Sequence, residues 1–471
     1  MISLPIQYLH LETGIFPVFL VMVFLTQLAR ANEPGYYVQS GRTHMLWLSA
    51  GFVFFSLVFG ALLYKVSPLL AVELAAGFTI SMLHPANALC LFVHLLFLRP
   101  WEIVTDNALL SALPRLVGAL CVFSWLIHPG QHAKPTGRTS GVLVVLLGFS
   151  IWLFLSTFVT PQIAETQADW FATYFKSPIV FVMCLFFIES ERSVKEFEMT
   201  LVISVLAMMT VGFYQFFIEG ASSARLESVG MFGNSNDLAS VIVMVIPFAL
   251  VPAFSAASSL VPQAVGILFS GFSLLLIWFT RSRGAMLALA AQALTAMNFG
   301  GSSKRWLGTM LLAGLLGAGY FTAIKVMPRD AEDMEISSES RITFWKTAVN
   351  MTLHNPIFGV GFDEFPANYD SYSTGVKYVW GLRTAHSSWF LAFAESGVIG
   401  GLLFVTFFLM VLRTAWRNRQ RWPAQFYALA GYGVAMSFLS HTYTFYFYLL
   451  AGLVIASDAF QEGLNCEQDI S

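Results

Sequence analysis

The sequence predicts an all-α polytopic membrane protein with roughly 12–14 transmembrane helices and one long outer loop that contains short helices. Of its 471 residues, 57% are hydrophobic and 11% are charged, whereas soluble domains carry about 25% charged residues. The apolar residues fall into many blocks of roughly 18–22 residues, the length that crosses a bilayer. Basic residues concentrate in a few short loops, as expected of cytoplasmic connections.

Apolar blocks mark the expected helices in order along the chain. They fall at about 12–29, 45–64, 68–82, 86–99, 108–127, 140–160, 170–189, 198–218, 237–254, 263–280, 284–299, 306–325, 386–412, 424–441 and 443–458. The pair around His84-Pro85 is either one interrupted helix or two helices, and the last two blocks are candidates for a re-entrant pair. The first block lacks a basic n-region and a small-residue cleavage site, so we expect an anchor rather than a cleaved signal.

These blocks divide the chain into three parts. We expect transmembrane helices in residues 1–325, a large periplasmic loop in 326–385, and C-terminal helices with a short tail in 386–471. The net charge of −2 implies nothing about nucleic acid, and there is no basic tail or polybasic arm, so we expect membrane lipids and no nucleic acid as partners. The four cysteines show no paired spacing, so we expect no disulfide framework, metal site or cofactor.

Orientation follows from basic residues in four short loops. The loops hold Lys134 and Arg138; Arg192 and Lys195; Lys304 and Arg305; and Arg413, Arg417, Arg419 and Arg421. These loops fall on one side if the spans are counted as above, and that side should be the cytoplasm. The opposite side then receives the long loop; in a bacterium that side is the periplasm or the cell exterior, and we expect the inner membrane with the loop in the periplasm.

Cations also collect on the predicted outer face, where they are disfavoured. They are Lys176, Arg225, Arg281, Arg283, Arg341 and Arg383. Each alone is compatible with an ordinary lipid headgroup contact. Arg281 and Arg283 share one minimal turn, and a guanidinium matches phosphate oxygens with two parallel hydrogen bonds. Gly284 permits close approach and a helix N-terminus follows, which favours anions. This pattern predicts a diphosphate site at the outer membrane surface.

A polar stretch, GNSND at 233–237, precedes an apolar block at the same level. Asp237 is best explained as a helix N-cap. Asn234 and Asn236 are candidates for binding sugar hydroxyls.

The long loop has two halves of different character. Its first half is acidic, and Asp330 with Glu332 is either a divalent-metal pair or a solvated charged stretch. The second half places Phe344 and Ala348 at helical spacing, which predicts an amphipathic helix on the surface. Aromatic residues from Tyr369 onward suit either sugar stacking or a membrane-interface belt.

His386 lies where a long apolar helix begins, three residues after Arg383. Ser387 or Ser388 is expected to cap that helix, and Glu395 lies about 13 Å further along it. An ionisable residue at that depth serves either function or packing. Histidine suits general base work near neutral pH, and arginines can neutralise a leaving diphosphate. Together they predict transfer from a lipid diphosphate to a hydroxyl.

The same residues resemble the O-antigen ligase and polymerase superfamily. The resemblance rests on four blocks in order: MFGNSNDLA at 231–239, SRGAMLAL at 282–289, SRITFWKTAVNMTLHNPIFGVGFDEF at 340–365 and HSSWFLAFAESGVIG at 386–400. It implies a metal-independent inverting glycosyltransferase with an undecaprenyl-diphosphate-linked glycan as donor. The acceptor would be lipid A–core in a ligase, a lipid-linked repeat in a polymerase, or a protein side chain in O-glycosylation ligases.

The resemblance also implies roles for residues. His386 would be the catalytic base, and Arg225, Arg283 and Arg341 would hold the diphosphate. Arg281 is added to this group from its spacing alone. Lys176, Asn236, Arg383 and Glu395 are candidates for substrate binding.

Two other classes of protein remain open on the sequence alone. A transporter of lipid-linked oligosaccharides should place charges near the bilayer midplane and show internal repeats, whereas most cations here gather at one face. A metal-dependent oligosaccharyltransferase needs carboxylates in an early outer loop, for which Glu102 and Asp106 are candidates.

Overall fold

The computed structural model describes residues 84–99, 108–127, 137–218, 225–228, 233–255, 260–299, 338–373 and 384–470, with some single positions between 74 and 101 and at 220. These residues form α-helices and connecting segments, without a strand among them. In chain order the helices are α1 Pro85–Leu98, α2 Ala108–Ile127, α3 Gly137–Ser156, α4 Ile163–Asp169, α5 Lys176–Phe187, α6 Glu191–Phe217, α7 Ser235–Ala253, α8 Leu260–Thr280, α9 Arg283–Phe299, α10 Ser338–His354, α11 Phe365–Tyr372, α12 Ser388–Arg417, α13 Pro423–Ala435 and α14 Phe445–Ile470.

The predicted fold class is confirmed: this is an all-α polytopic membrane protein. Within the described part of the chain, 6 helical stretches are long and apolar enough to cross a membrane. They are Arg138–Val159, Ile163–Phe187, Glu191–Phe217, Ser235–Ala253, Leu260–Thr280 and Ser388–Arg417. The full number of spans and the three-part division stay predictions.

The chain forms two compact units. Unit one comprises Met1–His132, Phe187–Leu238 and Ala264–Arg281, and unit two comprises Ala133–Phe186, Ala239–Gln263 and Ser282–Ser471. In unit one, α1 packs against α2 and α6, and the buried His94 Nδ1 lies 2.9 Å from Ser204 Oγ. In unit two, α12 packs against α3, α10 and α14, while α9 packs against α13.

The backbone leaves the helical conformation at His84. Both sequence interpretations, one interrupted helix or two helices, allow a break at this place. His84 has an extended backbone, with φ −157° and ψ 138°, and its side chain accepts a hydrogen bond from the Ala86 N–H. A residue before proline is pushed out of the α region. Helix α1 therefore starts anew at Pro85.

Helix α6 begins earlier than the apolar pattern predicts. It starts at Glu191 because Ser190 and Ser193 form a reciprocal capping box. Arg192 and Lys195, which were expected in a loop, lie in its first turns and pair with carboxylates four residues away. Hydropathy alone misses such a polar first turn.

The block predicted as a span at 424–441 ends early as a helix. Helix α13 stops at Ala435, and α14 starts at Phe445. Between them, residues 436–442 run as turns and irregular backbone. This piece, called the 436–442 segment below, is central to the site in unit two.

The predicted helix in the second half of the long loop is present as α10. Its buried face joins a cluster that also includes parts of α11 and α12. The cluster comprises Phe344, Ala348, Met351, Val360, Phe365, Tyr369, Ala385, Leu391 and Ala394. Helices α10 and α11 thus pack on the start of α12, directly beside His386.

Candidate active site

His386 occupies a strained turn at the entry to α12. Its φ is 49°, a left-handed value that few residues other than glycine adopt. The ring is half-buried, and its centroid lies 5.6 Å from that of Phe344. The preceding residue, Ala385, is buried in the cluster under α10. Backbone strain that the surroundings must hold in place is typical of functional positions.

Ser388, two residues later, is bonded on all sides to the 436–442 segment. Its N–H donates to Met436 O at 2.8 Å, and its hydroxyl donates to Leu439 O at 2.7 Å. The same hydroxyl accepts from His441 N at 2.9 Å, while Thr442 Oγ1 donates to Ser388 O at 2.8 Å. Ser387 holds the N-cap position without a side-chain capping bond. The Ser388 hydroxyl, one of the two expected to cap this helix, therefore bonds to the 436–442 segment instead.

The flanking residues bind the same segment. Thr384 Oγ1 donates to Ser440 Oγ at 2.9 Å, and Trp389 Nε1 donates to Ser437 Oγ at 3.0 Å. The segment therefore holds the chain before and after His386.

Arg341 and the start of α9 meet the 436–442 segment at Phe438. The Arg341 guanidinium carbon lies 5.7 Å from the Phe438 ring centroid. On the other side, a Cβ added at Gly284 would lie 3.1 Å from Phe438 Cβ. Arg283, the first residue of α9, is exposed next to Gly284. Within unit two, the structure brings Arg283, Arg341 and His386 around one short segment.

Helix α9 presents its N-terminus at this place. Ser282 is buried, and its hydroxyl accepts from Ala285 N at 3.4 Å. Arg283 then occupies the first helical position. Helix N-termini favour anions through their N–H groups and dipole, and Arg283 adds a full positive charge.

Lys176 lies near the other end of the 436–442 segment. It opens α5 as an exposed residue after the π-helical stretch Trp170–Tyr174. Its neighbour Ser177 donates to Tyr443 O at 2.7 Å. Lys176 therefore directly precedes Ser177, whose hydrogen bond fixes the backbone just after the 436–442 segment.

Glu395 is buried, with 1% of its surface exposed. One carboxylate oxygen accepts from Phe365 N at 3.0 Å, and the other accepts from Tyr443 Oη at 2.6 Å. These bonds tie α11 and the chain before α14 to the middle of α12. The geometry favours the packing interpretation of Glu395, and its substrate-binding role stays a prediction.

The loop after α10 docks into a break in α12 at Gly397. The Gly397 backbone has φ 69° and ψ −170°, a region that essentially only glycine adopts. Val360 N donates to Ala394 O, and Val398 N donates to Pro356 O, both at 2.8 Å. Trp152 Nε1 also donates to Ser396 O at 2.9 Å. The carbonyl and N–H groups released by the break are thereby satisfied.

Asp363 ends this docked loop in a strained, acidic setting. Its φ is 58°. The residue as a whole is exposed, but partial burial of its carboxyl group, followed by the carboxylates of Asp169 and Glu364, raises the Asp363 pKa to about 6. The pKa of Glu364 is also raised by burial. The Asp363 carboxylate also lies close enough to Glu395 to interact with it electrostatically.

The remaining predicted cations that the structure describes lie in unit one. Arg225 Nε donates to Thr280 O at 2.9 Å, and its Nη2 donates to Asn236 Oδ1 at 2.9 Å. Asn236 is thus a partner of Arg225, whereas we expected it to bind sugar. Arg281 follows Thr280 with a left-handed φ of 52°. The roles of Arg225, Arg281 and Asn236 in binding substrate stay predictions.

The cap of α7 differs from the expectation. The helix starts at Ser235, and Asn234 Oδ1 accepts from Asn236 N at 2.8 Å. Asp237 lies in the first turn, so the predicted cap at Asp237 is wrong. Asn234 takes that position because the helix begins two residues earlier.

Some predicted features lie outside the described residues, namely Arg383, Asp330 and Glu332. The feature that sequence reasoning missed is the 436–442 segment. It also contains His441, whose Nδ1 lies 2.7 Å from Tyr432 Oη. The signal was present: SFLSHTYT at 437–444 is a polar cluster at the junction of two apolar blocks.

Comparison with known proteins gives one family. Residues 268–405 match the family model described as O-Antigen ligase. The matched stretch includes Arg283, Arg341 and His386. No curated protein matches the chain.

Proposed function

We propose, from the match of residues 268–405 to the O-Antigen ligase family model, that the chain is an inverting, metal-independent glycosyltransferase. It transfers an undecaprenyl-diphosphate-linked O-antigen glycan to lipid A–core at the periplasmic face of the inner membrane. The single observation that carries this proposal is the gathering of Arg283, Arg341 and His386 around the 436–442 segment.

The proposed reaction divides between a base and an electrostatic clamp. His386 takes the proton from the acceptor hydroxyl as its oxygen attacks the anomeric carbon of the donor glycan. The bond between that carbon and the diphosphate oxygen breaks from the opposite face, which inverts the anomeric centre. Undecaprenyl diphosphate leaves with the bonding electron pair, and Arg283 and Arg341 neutralise its charge.

The surroundings suit these roles. Arg341 lies against the Phe438 ring, an apolar surface that keeps the guanidinium extended. Arg283 stands at the start of a helix whose dipole adds to its attraction for phosphate. His386 is half-buried beside Phe344, so it is partly shielded from water.

The test is a transfer assay with purified protein in nanodiscs and EDTA present. The substrates are undecaprenyl-diphosphate glycan and lipid A–core. His386→Ala should lower the rate about 10²-fold or more. His354→Ala is the matched control, because His354 is exposed at the end of α10, with Nδ1 2.8 Å from Asn350 O in its own helix. It should keep wild-type activity.

Arginine variants test the clamp in the same assay. Arg283→Ala and Arg341→Ala should each lower transfer about 10²-fold. Arg419→Ala, whose guanidinium lies 4.5 Å from the Trp416 ring, is the control and should stay active. Lengthened lipid-linked chains would point to a polymerase, and a glycosylated protein would point to an O-glycosylation ligase. Full activity of His386→Ala would show that the base assignment is wrong.

A further inference from the structure

Ser388 stands out because all its polar groups are used by one other segment. Its N–H, its carbonyl oxygen and its hydroxyl make four hydrogen bonds to residues 436–442. Ser388 and Thr442 are each 0% exposed. A buried polar pair of this kind is costly to separate, because each group would be left without water or a partner.

The position of Ser388 gives these bonds a consequence for His386. Only Ser387 lies between the two residues, and His386 has the left-handed φ of 49°. Such a conformation persists only when its surroundings fix the chain. The bonds from Ser388 fix the chain directly after the turn, and Thr384 fixes it before the turn through Ser440.

The same segment also contacts the arginine side of the site. Phe438 lies two residues after Met436 and one before Leu439, which are both bonded to Ser388. Its ring faces Arg341, and its Cβ adjoins Gly284 at the start of α9. The 436–442 segment therefore contacts the residues on either side of His386, and it also contacts Arg341 and the start of α9, where Arg283 lies.

We propose that Ser388 is a positioning residue that, through the 436–442 segment, sets His386 at a fixed place relative to Arg341. This inference rests on the proposed function. We infer that the hydrogen bonds of Ser388 and the packing of Phe438, and not α12 alone, define the distance between His386 and Arg341. A base misplaced by about 1 Å loses much of its rate advantage.

The kinetic experiment compares four purified proteins: wild type, Ser388→Ala, Thr442→Val and Ser396→Ala. Ser396 is the matched control, a buried serine on the same helix whose hydroxyl donates to Ala392 O, at 2.5 Å, within α12. Ser388→Ala should lower kcat about tenfold or more with little change in donor KM. Thr442→Val removes one bond with almost no change in shape and should lower kcat by a smaller factor. Ser396→Ala should match wild type.

A second measurement does not depend on activity. Diethyl pyrocarbonate modifies accessible histidines, and mass spectrometry gives the rate for the peptide that contains His386. Ser388→Ala should change that rate at least about threefold, because the turn is no longer held. Ser396→Ala should leave it unchanged. Since Ser388→Ala also risks misfolding, Thr442→Val provides the milder test, with a change of the same sign.

The two proposals fail in different ways. If wild type transfers no glycan to any acceptor, the proposed function is wrong, and the modification rates still decide whether Ser388 positions His386. If wild type is active and Ser388→Ala matches it in kcat and in modification rate, the positioning role is wrong and the function stands. An equal loss of kcat in Ser396→Ala would also overturn the inference, because any buried serine would then have the same effect.

Discussion

Two ionisable residues lie in contrasting settings near the start of helix α12: His386, two residues before the helix begins, and Glu395, just before its break. His386 precedes the first turn, half-buried and in a strained conformation. Glu395 lies beside Gly397 and is buried, and both of its oxygens accept hydrogen bonds from the protein. Hydrogen bonds of the neighbouring residues Thr384 and Ser388 fix the backbone around His386. The Glu395 side chain, in contrast, itself accepts the hydrogen bonds that join α12 to other segments.

Under the proposed function, His386 serves the reaction and Glu395 serves the packing around α12. Variants at the break should lower stability, and activity only as a consequence of unfolding. Variants at His386 should lower activity while the protein remains folded. Four substitutions test that separation.

Gly397→Ala should have the largest effect. The backbone of Gly397 lies in a region that excludes side chains, and a Cβ there would overlap the carbonyl oxygen of Ile357. We expect a loss of about 3 kcal/mol or more in the free energy of unfolding. Size-exclusion chromatography in detergent should show little folded protein. The control is Gly271→Ala, where a Cβ would meet no atom within 4 Å.

Glu395→Ala should follow in size. It leaves the buried Phe365 N–H and the Tyr443 hydroxyl without their acceptor, at a cost of about 2–4 kcal/mol. Glu395→Gln keeps one acceptor oxygen and should cost less. Thermal unfolding of the purified variants measures both. If Glu395→Ala unfolds like wild type but loses transfer, Glu395 belongs to the chemistry and the contrast fails.

Tyr443→Phe should cost about 2 kcal/mol, since it removes one hydrogen bond to a carboxyl group. The ring itself should stay in place, because it packs 4.8 Å from Phe362 and 5.9 Å from Tyr174. The backbone carbonyl also keeps its bond from Ser177. A double-mutant cycle with Glu395→Ala isolates the pair. Additive losses in unfolding free energy would show that the two residues do not interact.

Asp363→Asn should give the smallest effect and one that depends on pH. In the folded protein the Asp363 pKa is raised to about 6, mainly by burial and then by Asp169 and Glu364. The unfolded carboxyl loses its proton near its ordinary pKa, so the folded state loses stability as pH rises from about 4 to about 6. The asparagine cannot ionise. The difference in melting temperature, Asp363→Asn minus wild type, should therefore be more positive at about pH 7.5 than at about pH 4. An equal difference at both values would argue against the raised pKa.

The sequence predicted most of what depends on local pattern. Apolar length identified the membrane class, and helical spacing of Phe344 and Ala348 predicted α10. Of the arginines expected at the outer face, Arg283 and Arg341 contact or adjoin the segment that also holds the chain around His386, whereas Arg225 and Arg281 lie in unit one. Each of these signals is contained in a few neighbouring residues, so each can be recognised without knowledge of distant contacts.

What could not be predicted depends on contacts between distant segments. Hydropathy treats residues 424–441 as one span, because it counts apolar side chains and not the backbone bonds that Ser388 offers. Asn236 looked like a sugar ligand because the local pattern does not reveal the hydrogen bond that Arg225 donates to it. Glu395 looked functional at its depth, because nothing local reveals that Phe365 and Tyr443 reach it.

The bonds of unit two also impose an order on biosynthesis. Trp152 donates to a carbonyl 244 residues later in the chain, and Ser177 donates to one 266 residues later. Helices α3 and α5 are therefore translated and inserted long before their partners exist. The tertiary contacts of unit two can therefore form only after α12 and the chain leading into α14 have been translated. A ribosome that stopped before Tyr443 would release a chain that is inserted in the membrane but has no means to assemble its site.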